Sequence, residues 1–308
     1  RTALGIKVVG ITGSVGKTST KEMIASVLGQ KYNVLKTAGN FNNEIGVPLT
    51  IFNIREEHEV AVLEMGINHF EEMHRLTKMA QPDICVITNI GYCHLEYLND
   101  RDGVLKAKTE MFAYRQPDAK IILNGDDDKL ITVKNEEDKH PLYFGLSTEL
   151  SAFAEDIHSL SLKGTSCTIC LGDNSFQVTI PIPGHHMVYN ALCGALVGNE
   201  LGLNEEEINR IREEKRKELD LRVNLKANTT EKHILVCRGT GCTSSKSPKI
   251  IENFRKILEE KEIENVRVIQ TGCFGLCAKG PIVIIRPEDT FYAMVTPEDC
   301  EEIVNTHI

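Results

Sequence analysis

Short apolar runs alternate with amphipathic stretches through the first 125 residues. The runs "IKVVGIT", "VAVLEM", "DICVITNI" and "KIILNGDD" have the length and β-branched content of strands. Between them, Thr18 to about Leu28 and the segments around "FEEMHRLTKMA" and "DGVLKAKTEMF" carry apolar residues at helical spacing. Strand–helix alternation predicts an α/β fold with a doubly wound, mostly parallel sheet. Ligands of such sheets lie beyond the C-terminal ends of the strands. Three features fall there: the Gly-Lys-Thr loop after the first strand, Glu64 at the end of "AVLEM", and "TNIGYCH" after "ICVI".

The pattern changes over residues 143–181, where "SCTICLG" and "SFQVTIPI" alternate between Gly and Asn punctuation, as antiparallel hairpins do. A helix returns at "NALCGALVGNELGL". The charged segment "NEEEINRIREEKRKELD" then reads as a linker helix or a leading arm. After it, "HILVC", a helix over "SPKIIENFRKILEEKEI" with Ile250, Ile251, Phe254, Ile257 and Leu258 on one face, "VRVIQ", "IVIIR", "FYAMV" and a final helix give a smaller β-α-β-β-β-α layer. Thr296 and Pro297 suit the N-cap and first position of that last helix. The expected organisation is a nucleotide domain over 1–208, a lead-in over 209–232 and a small α/β domain over 233–308.

A chain of 308 residues with 41% hydrophobic and 26% charged residues supports two cores. A net charge of −9 and a pI near 5.6 exclude wrapping nucleic acid or lying on anionic lipid as the main task. No apolar run approaches the roughly 18 residues of a membrane span, and the start lacks a signal-peptide core. The expectation is a cytoplasmic protein without nucleic-acid partners or membrane insertion. Its start at Arg1 points to processing or to a piece of a longer product. Ten Cys without a secretion signal read as thiols or metal ligands. Five are scattered through the first two thirds, while Cys237, Cys242, Cys273 and Cys277 form two close pairs and Cys300 stands apart.

"GITGSVGKTST" places Gly13, Ser14, Gly16, Lys17, Thr18 and Ser19 between a strand and a helix. Such a turn presents backbone N–H groups and a positive helix end to a polyphosphate. Lys17 would neutralise the outer phosphates and Thr18 would hold magnesium. The pattern G-x-x-x-x-G-K-[ST] is not met to the letter, since its first Gly would fall at Ile11. Glu64 ends an apolar strand opposite this loop, the arrangement a magnesium site needs. In "GDDDK", a solvated turn, Asn124 before it and Asp126 within it are the residues placed beside the site. Cys167 and Cys170 of "CTIC" point to opposite faces of a strand and read as structural.

These residues carry a resemblance. "GITGSVGKTST" resembles the Mur-ligase variant T-G-x-x-G-K-[ST], and "KTAGNFNNEIGVP", "AVLEMG", "TNIGYCHLEYL", "KAKTEMF" and "ILNGDD" follow in that family's order. The resemblance implies an ATP-dependent amide ligase acting on a muramoyl-peptide in peptidoglycan synthesis, with ATP and magnesium as cofactors. By it, Lys17, Glu64 and Lys108 carry catalysis, Thr18, Glu64 and His94 contribute to magnesium binding, and Asn42 and Asn43 face the muramoyl-peptide. Asn124, His186 and Asn190 lie on the nucleotide, the last two at the adenine. Lys108 matches the lysine that the family carbamylates, with Lys106 two residues away as the other register. Met187 departs from the family's Asn. The matched stretch leaves out the domains that hold the UDP-sugar and close over ATP, so the expectation is ATP binding without completed ligation.

"CRGTGC" and "CFGLC" sit in Gly-rich loops after strands. Glycines let N–H groups approach bound sulfur, which favours an iron–sulfur cluster; zinc, which prefers tighter Cys-x2-Cys knuckles, is the rival. "HILVCRGTGCTSSKSPKIIENF", "QTGCFGLCAKGPIVII" and "FYAMVTPEDCEEIV" resemble the thioredoxin-like 2Fe-2S ferredoxin domain of flavin subunits of NADH-linked hydrogenases and dehydrogenases. That resemblance implies Cys237, Cys242, Cys273 and Cys277 as ligands of one 2Fe-2S cluster, Cys300 as a packing residue, and redox partner proteins. It leaves a second reading, an electron-transfer module beside an inactive ligase remnant, and a third, a non-catalytic scaffold.

Overall fold

The computed structural model describes residues 4–133, 140–161, 164–182, 184–208, 232–237, 246–271, 280–286, 288 and 290–308. The chain separates into two compact units, one of residues 1–159, 165–180 and 185–213, the other of the rest.

In the first unit, among the described residues, nine strands form one sheet in the order β2-β3-β1-β4-β5-β6-β7-β8-β9. The strands are β1 (Lys7–Thr12), β2 (Val34–Lys36), β3 (Val60–Glu64), β4 (Ile84–Ile87), β5 (Lys120–Asn124), β6 (Pro141–Gly145), β7 (Ala152–Ser159), β8 (Thr165–Leu171) and β9 (Asn174–Ile180). Pairing is parallel from β2 to β7 and antiparallel across β7, β8 and β9. The expected hairpins are therefore present, and they extend the same sheet.

Helices cover both faces. On one, α1 (Lys17–Leu28) and α6 (His186–Glu200) pack over Val9, Ile11, Val60, Val62 and Val86. On the other, α2 (Gly46–Phe52), α3 (Glu72–Ala80), the short α4 (Leu95–Leu98) and α5 (Arg101–Thr109) share a core with Val8, Ala61, Leu63, Cys85 and Ile87. Successive strand residues feed opposite cores, so β3 and β4 are buried at every position and read as continuous apolar runs rather than alternating ones. Strand β2 and helix α2 carry little sequence signal. The former is three residues long, and α2 leaves Ile45, Leu49 and Phe52 exposed at its edge.

The second unit has, among the described residues, four strands in the order β11-β10-β12-β13. These are β10 (Lys232–Cys237), β11 (Val266–Thr271), β12 (Val283–Arg286) and β13 (Thr290–Tyr292). Its α-helices among the described residues are Ser247–Glu260 and Cys300–His307, in the expected β-α-β-β-β-α order. Ile250, Ile251, Phe254 and Leu258 face this core as their spacing predicts. Thr296 and Asp299 form a reciprocal capping box ahead of the last helix.

Candidate functional site

The chain turns back at β1: β3 lies on one side of it and β4 on the other, so the loops after these three strands meet at a topological switch point. Register places Ile11 beside Glu64 and Thr12 beside Ile87. The loop after β1 is shaped by two left-handed glycines, Gly13 at φ 150° and Gly16 at φ 81°. A Cβ on Gly13 would lie 1.9 Å from Thr88 Oγ1. Gly16 ends the loop as the N-cap of α1, with no side chain satisfying the helix end.

The segment after β4 clamps the first half of this loop. Asn89 Oδ1 accepts from Ser14 N–H (3.1 Å) and Val15 N–H (2.9 Å), and Asn89 Nδ2 donates to the Val15 carbonyl at 3.0 Å. Thr88 Oγ1 donates to the same carbonyl at 2.9 Å. Ser14 Oγ accepts from Gly91 N–H at 2.8 Å and from the Cys93 thiol at 3.1 Å. With Ser14 and Val15 so engaged, the N–H groups from Gly16 to Ser19, at the start of α1, are the donors left to face an anion. Lys17 Nζ folds over the loop and donates to the Gly13 carbonyl at 2.9 Å. Burial lowers its pKa, against the opposing pull of Glu64 and Cys93.

Glu64 is 2% exposed. Its carboxylate accepts from Thr18 Oγ1 at 2.9 and 3.2 Å and from Asn42 Nδ2 at 2.8 Å. A hydroxyl and a carboxylate side by side, next to a helix N-terminus, are the hard oxygen donors that magnesium takes together with phosphate oxygens. The donor set fits that ion. The Thr12 hydroxyl, at the end of β1, is buried with no hydrogen-bond partner among the described residues.

Lys108 is 1% exposed, and its ammonium has no hydrogen-bond or ion-pair partner among the described residues. Burial, reinforced by the like charge of Lys17, pushes its pKa down to about 8, with Cys93 opposing. His94 is lowered too, by burial and then by Lys108 and Lys17. Lys17, Cys93, His94 and Lys108 thus lie near enough for their charges to act on one another. Lys106 is exposed, with its ammonium 5.7 Å from the Phe70 ring centre.

The remaining expected residues have local engagements. Asn43 Oδ1 accepts from Ile45 N–H and from Gly46 N–H, the first residue of α2. Asn124 Nδ2 donates to the Thr88 carbonyl at 3.1 Å, and its Oδ1 accepts from Asp126 N–H. Asn190, 7% exposed, accepts from Thr20 Oγ1 at 2.8 Å and donates to Met187 Sδ at 3.3 Å, tying α6 to α1. His186 opens α6, and burial lowers its pKa. Thr88, Asn89 and Cys93 lie inside "TNIGYCH", a stretch whose place beyond the strand end is legible in the sequence but in which only His94 is there given a role. Asp127, read as part of a solvated turn, accepts from Ile90 N–H at 2.8 Å and braces that same segment.

In the second unit Cys237 ends β10, is 1% exposed and packs with Ile282 and Ile284. Cys242, Cys273 and Cys277 lie outside the described residues, and among the described residues no group of metal-binding side chains is gathered. Four thiols are, by their chemistry, a donor set suited to a 2Fe-2S cluster. Cys300 is fully buried in the core, and burial raises its thiol to about 12, as a packing residue requires.

A glycine-rich loop at a switch point, with a buried carboxylate on the hydroxyl that opens the following helix, has the geometry of an α/β anion-binding site. Residues 11–198 match the Mur ligase middle domain, and the chain belongs to that family. Among its relatives is the UDP-N-acetylmuramoyl-tripeptide–D-alanyl-D-alanine ligase of Bacillus subtilis, 42% identical over 204 residues, 66% of this chain and 43% of the relative. The enzyme of the same name from Escherichia coli is 36% identical over 66% of this chain and 45% of its own length. The chain spans less than half the length of these relatives. The crystal structure of MurF from Acinetobacter baumannii superposes with a TM-score of 0.65 at 26% identity, covering 89% of this chain and 65% of that one. Residues 224–307 match the thioredoxin-like [2Fe-2S] ferredoxin family. No helix among the described residues is long and apolar enough to cross a membrane.

Proposed function

We propose that the first unit binds Mg-ATP and is the carboxylate-activating core of a Mur-type ligase that joins D-alanyl-D-alanine to a muramoyl-peptide. The observation that carries this is the contact of Thr18 with Glu64 at the mouth of the glycine loop, with Lys17 poised over that loop. In the reaction, a peptide carboxylate oxygen attacks the γ-phosphorus of ATP and ADP leaves. The incoming amine then attacks the acyl carbon, phosphate leaves, and the amine's proton passes to solvent or a base.

The residues divide this work. N–H groups from Gly16 to Ser19 hold phosphate oxygens, and Lys17 leaves its loop carbonyls to neutralise the charge that collects on the departing ADP. Thr18, Glu64 and His94 would hold magnesium, which screens the phosphates from the attacking carboxylate. Asn42, bonded to Glu64, links the muramoyl-peptide loop to that cation site, and Asn43 shapes the loop by holding the start of α2. Asn124, His186 and Asn190 border the nucleotide.

Lys108 is the residue we assign to carbamylation. It is buried beside Lys17 and His94, whereas Lys106 is exposed. With a pKa of about 8, roughly a tenth of its amine is unprotonated at pH 7, some 300-fold more than for an ordinary lysine. The free amine is the form that adds carbon dioxide, and the carbamate's negative charge would relieve the crowd of cations. The second unit would hold a 2Fe-2S cluster through Cys237, Cys242, Cys273 and Cys277 and exchange single electrons with a redox partner.

The deciding experiment is calorimetric titration of the anaerobically prepared chain with Mg-ATP, beside Lys17→Ala. Saturable binding that disappears in the variant supports the reading. Equal affinity in the two proteins removes the phosphate loop as the nucleotide site.

A further inference from the structure

We infer that Lys21 is a positioning residue for the cation site: it holds Glu64 in place when Thr18 turns from the carboxylate to a metal. The inference rests on the assignment of Thr18 and Glu64 as the magnesium pair.

Lys21 lies one helical turn after Thr18, so both side chains leave α1 on the same side and reach Glu64. Charged residues in the middle of a helix ordinarily sit in solvent, yet Lys21 is 1% exposed. Its ammonium donates to the Thr37 carbonyl at 2.8 Å and lies 3.3 Å from Glu22 Oε1 and 3.7 Å from Glu64 Oε2. Thr37 closes the frame, its hydroxyl accepting the Glu64 N–H at 2.9 Å and its own N–H reaching the Val62 carbonyl at 3.0 Å. Glu22 is in turn paired with Lys36, next to Thr37 in the chain.

A buried carboxylate is costly unless its charge is met and its oxygens are hydrogen-bonded. Thr18 and Asn42 supply neutral donors, while Lys21 is the cation in ion-pair range among the described residues. When Thr18 gives its oxygen to a cation, the carboxylate loses that donor. Lys21, as the charged partner, and Asn42 then remain on the carboxylate, while Thr37 holds the Glu64 backbone N–H. Among the described residues the Lys21 ammonium makes no hydrogen bond or ion pair with the loop 13–16 or with the Lys17 side chain, so phosphate binding and cation binding draw on different side-chain neighbours. The residue should therefore govern the magnesium-dependent part of nucleotide affinity and leave the metal-free part alone.

The test is calorimetry of the whole chain with ATP, in EDTA and in excess magnesium, for wild type, Lys21→Met and Lys21→Arg, with thermal melts to check folding. The expected result is that Lys21→Met loses about tenfold or more of the affinity gained from magnesium, the usual scale for a neighbour of a metal ligand. Its affinity in EDTA should stay near wild type, and Lys21→Arg should recover most of the gain. An undiminished magnesium gain in Lys21→Met overturns the inference. So does an equal loss with and without magnesium, the mark of a role in folding alone. If Lys21→Met does not fold, Thr37→Val decides, with a selective loss of the magnesium gain expected and no selective loss overturning the idea. Wild type that gains nothing from magnesium shows instead that the Thr18–Glu64 assignment has failed, and the inference falls with it.

Discussion

Replacing Lys108 by Met should make the metal-free, nucleotide-free protein more stable. Met has a similar length, fills an irregular site well and carries no charge. The ammonium it replaces is 1% exposed, and its pKa falls from 10.5 to about 8 because of burial and then Lys17. At about 1.4 kcal/mol per pH unit, that fall withholds about 3 kcal/mol from the folded state at pH 7, where both folded and unfolded chains carry the proton. Between about pH 8 and pH 10.5 the folded state has released the proton while the unfolded state still holds it. Wild-type stability should therefore rise through that window, and the advantage of Lys108→Met should shrink to nothing by its upper end. The assay is urea unfolding followed by far-ultraviolet circular dichroism in carbonate-free buffer, across this pH range. Carbonate must be absent because a carbamate would remove the charge under test. The chain has two units, so two transitions are expected, and the second unit's supplies the internal control. A variant that is destabilised at pH 7, or whose advantage stays constant through pH 10, would refute the picture of an uncompensated buried cation.

Other perturbations should read out separate parts of the molecule. Gly13→Ala drives a methyl group to 1.9 Å from Thr88 Oγ1 at a φ of 150°, so Mg-ATP affinity should fall by at least about tenfold while the second unit's melting is unchanged; calorimetry and dichroism check this. Asn89→Ala removes the two hydrogen bonds its side chain accepts from the Ser14 and Val15 N–H groups and the one it donates to the Val15 carbonyl, and weaker nucleotide binding by a more mobile loop is expected by the same titration. Cys273→Ala should abolish the visible absorbance and the reduced-state electron paramagnetic resonance signal of a 2Fe-2S cluster. A colourless wild-type protein that carries zinc would count against the cluster. Phe254→Ala opens a cavity at a fully buried position of the small core and should cost that unit about 3–5 kcal/mol, measured by urea unfolding.

Much of the fold was legible because it is written locally. A sheet covered on both faces demands continuous apolar strands, and "VAVLEM" and "DICVITNI" have no other use. The glycines of "GSVGKT" mark a turn that only residues free to take positive φ can make, and an acid closing an apolar strand stands out in any reading. The same holds for the face of Ile250, Ile251, Phe254 and Leu258, where helical spacing alone names the buried side. The two short elements β2 and α2 were not legible, since neither has enough residues to show a period.

What the sequence by itself determined is therefore which elements form and which end of the sheet carries chemistry. Only the tertiary structure decided how the charged and amide side chains are spent. "KAKTE" offers two lysines, and it takes the packing of α5 on the sheet to bury Lys108 and leave Lys106 outside. Nothing in "KTSTKEM" distinguishes Lys21 from a solvated lysine until β2 and β3 bring Thr37 and Glu64 against it. Asn89, Asn43 and Asn190 are chemically alike, yet one clamps the phosphate loop, one holds a helix start and one ties two helices together. The physical reason is common to all of them. Backbone periodicity fixes where a residue points within its own element, whereas the worth of a charge or an amide depends on burial and on partners supplied by elements distant in sequence.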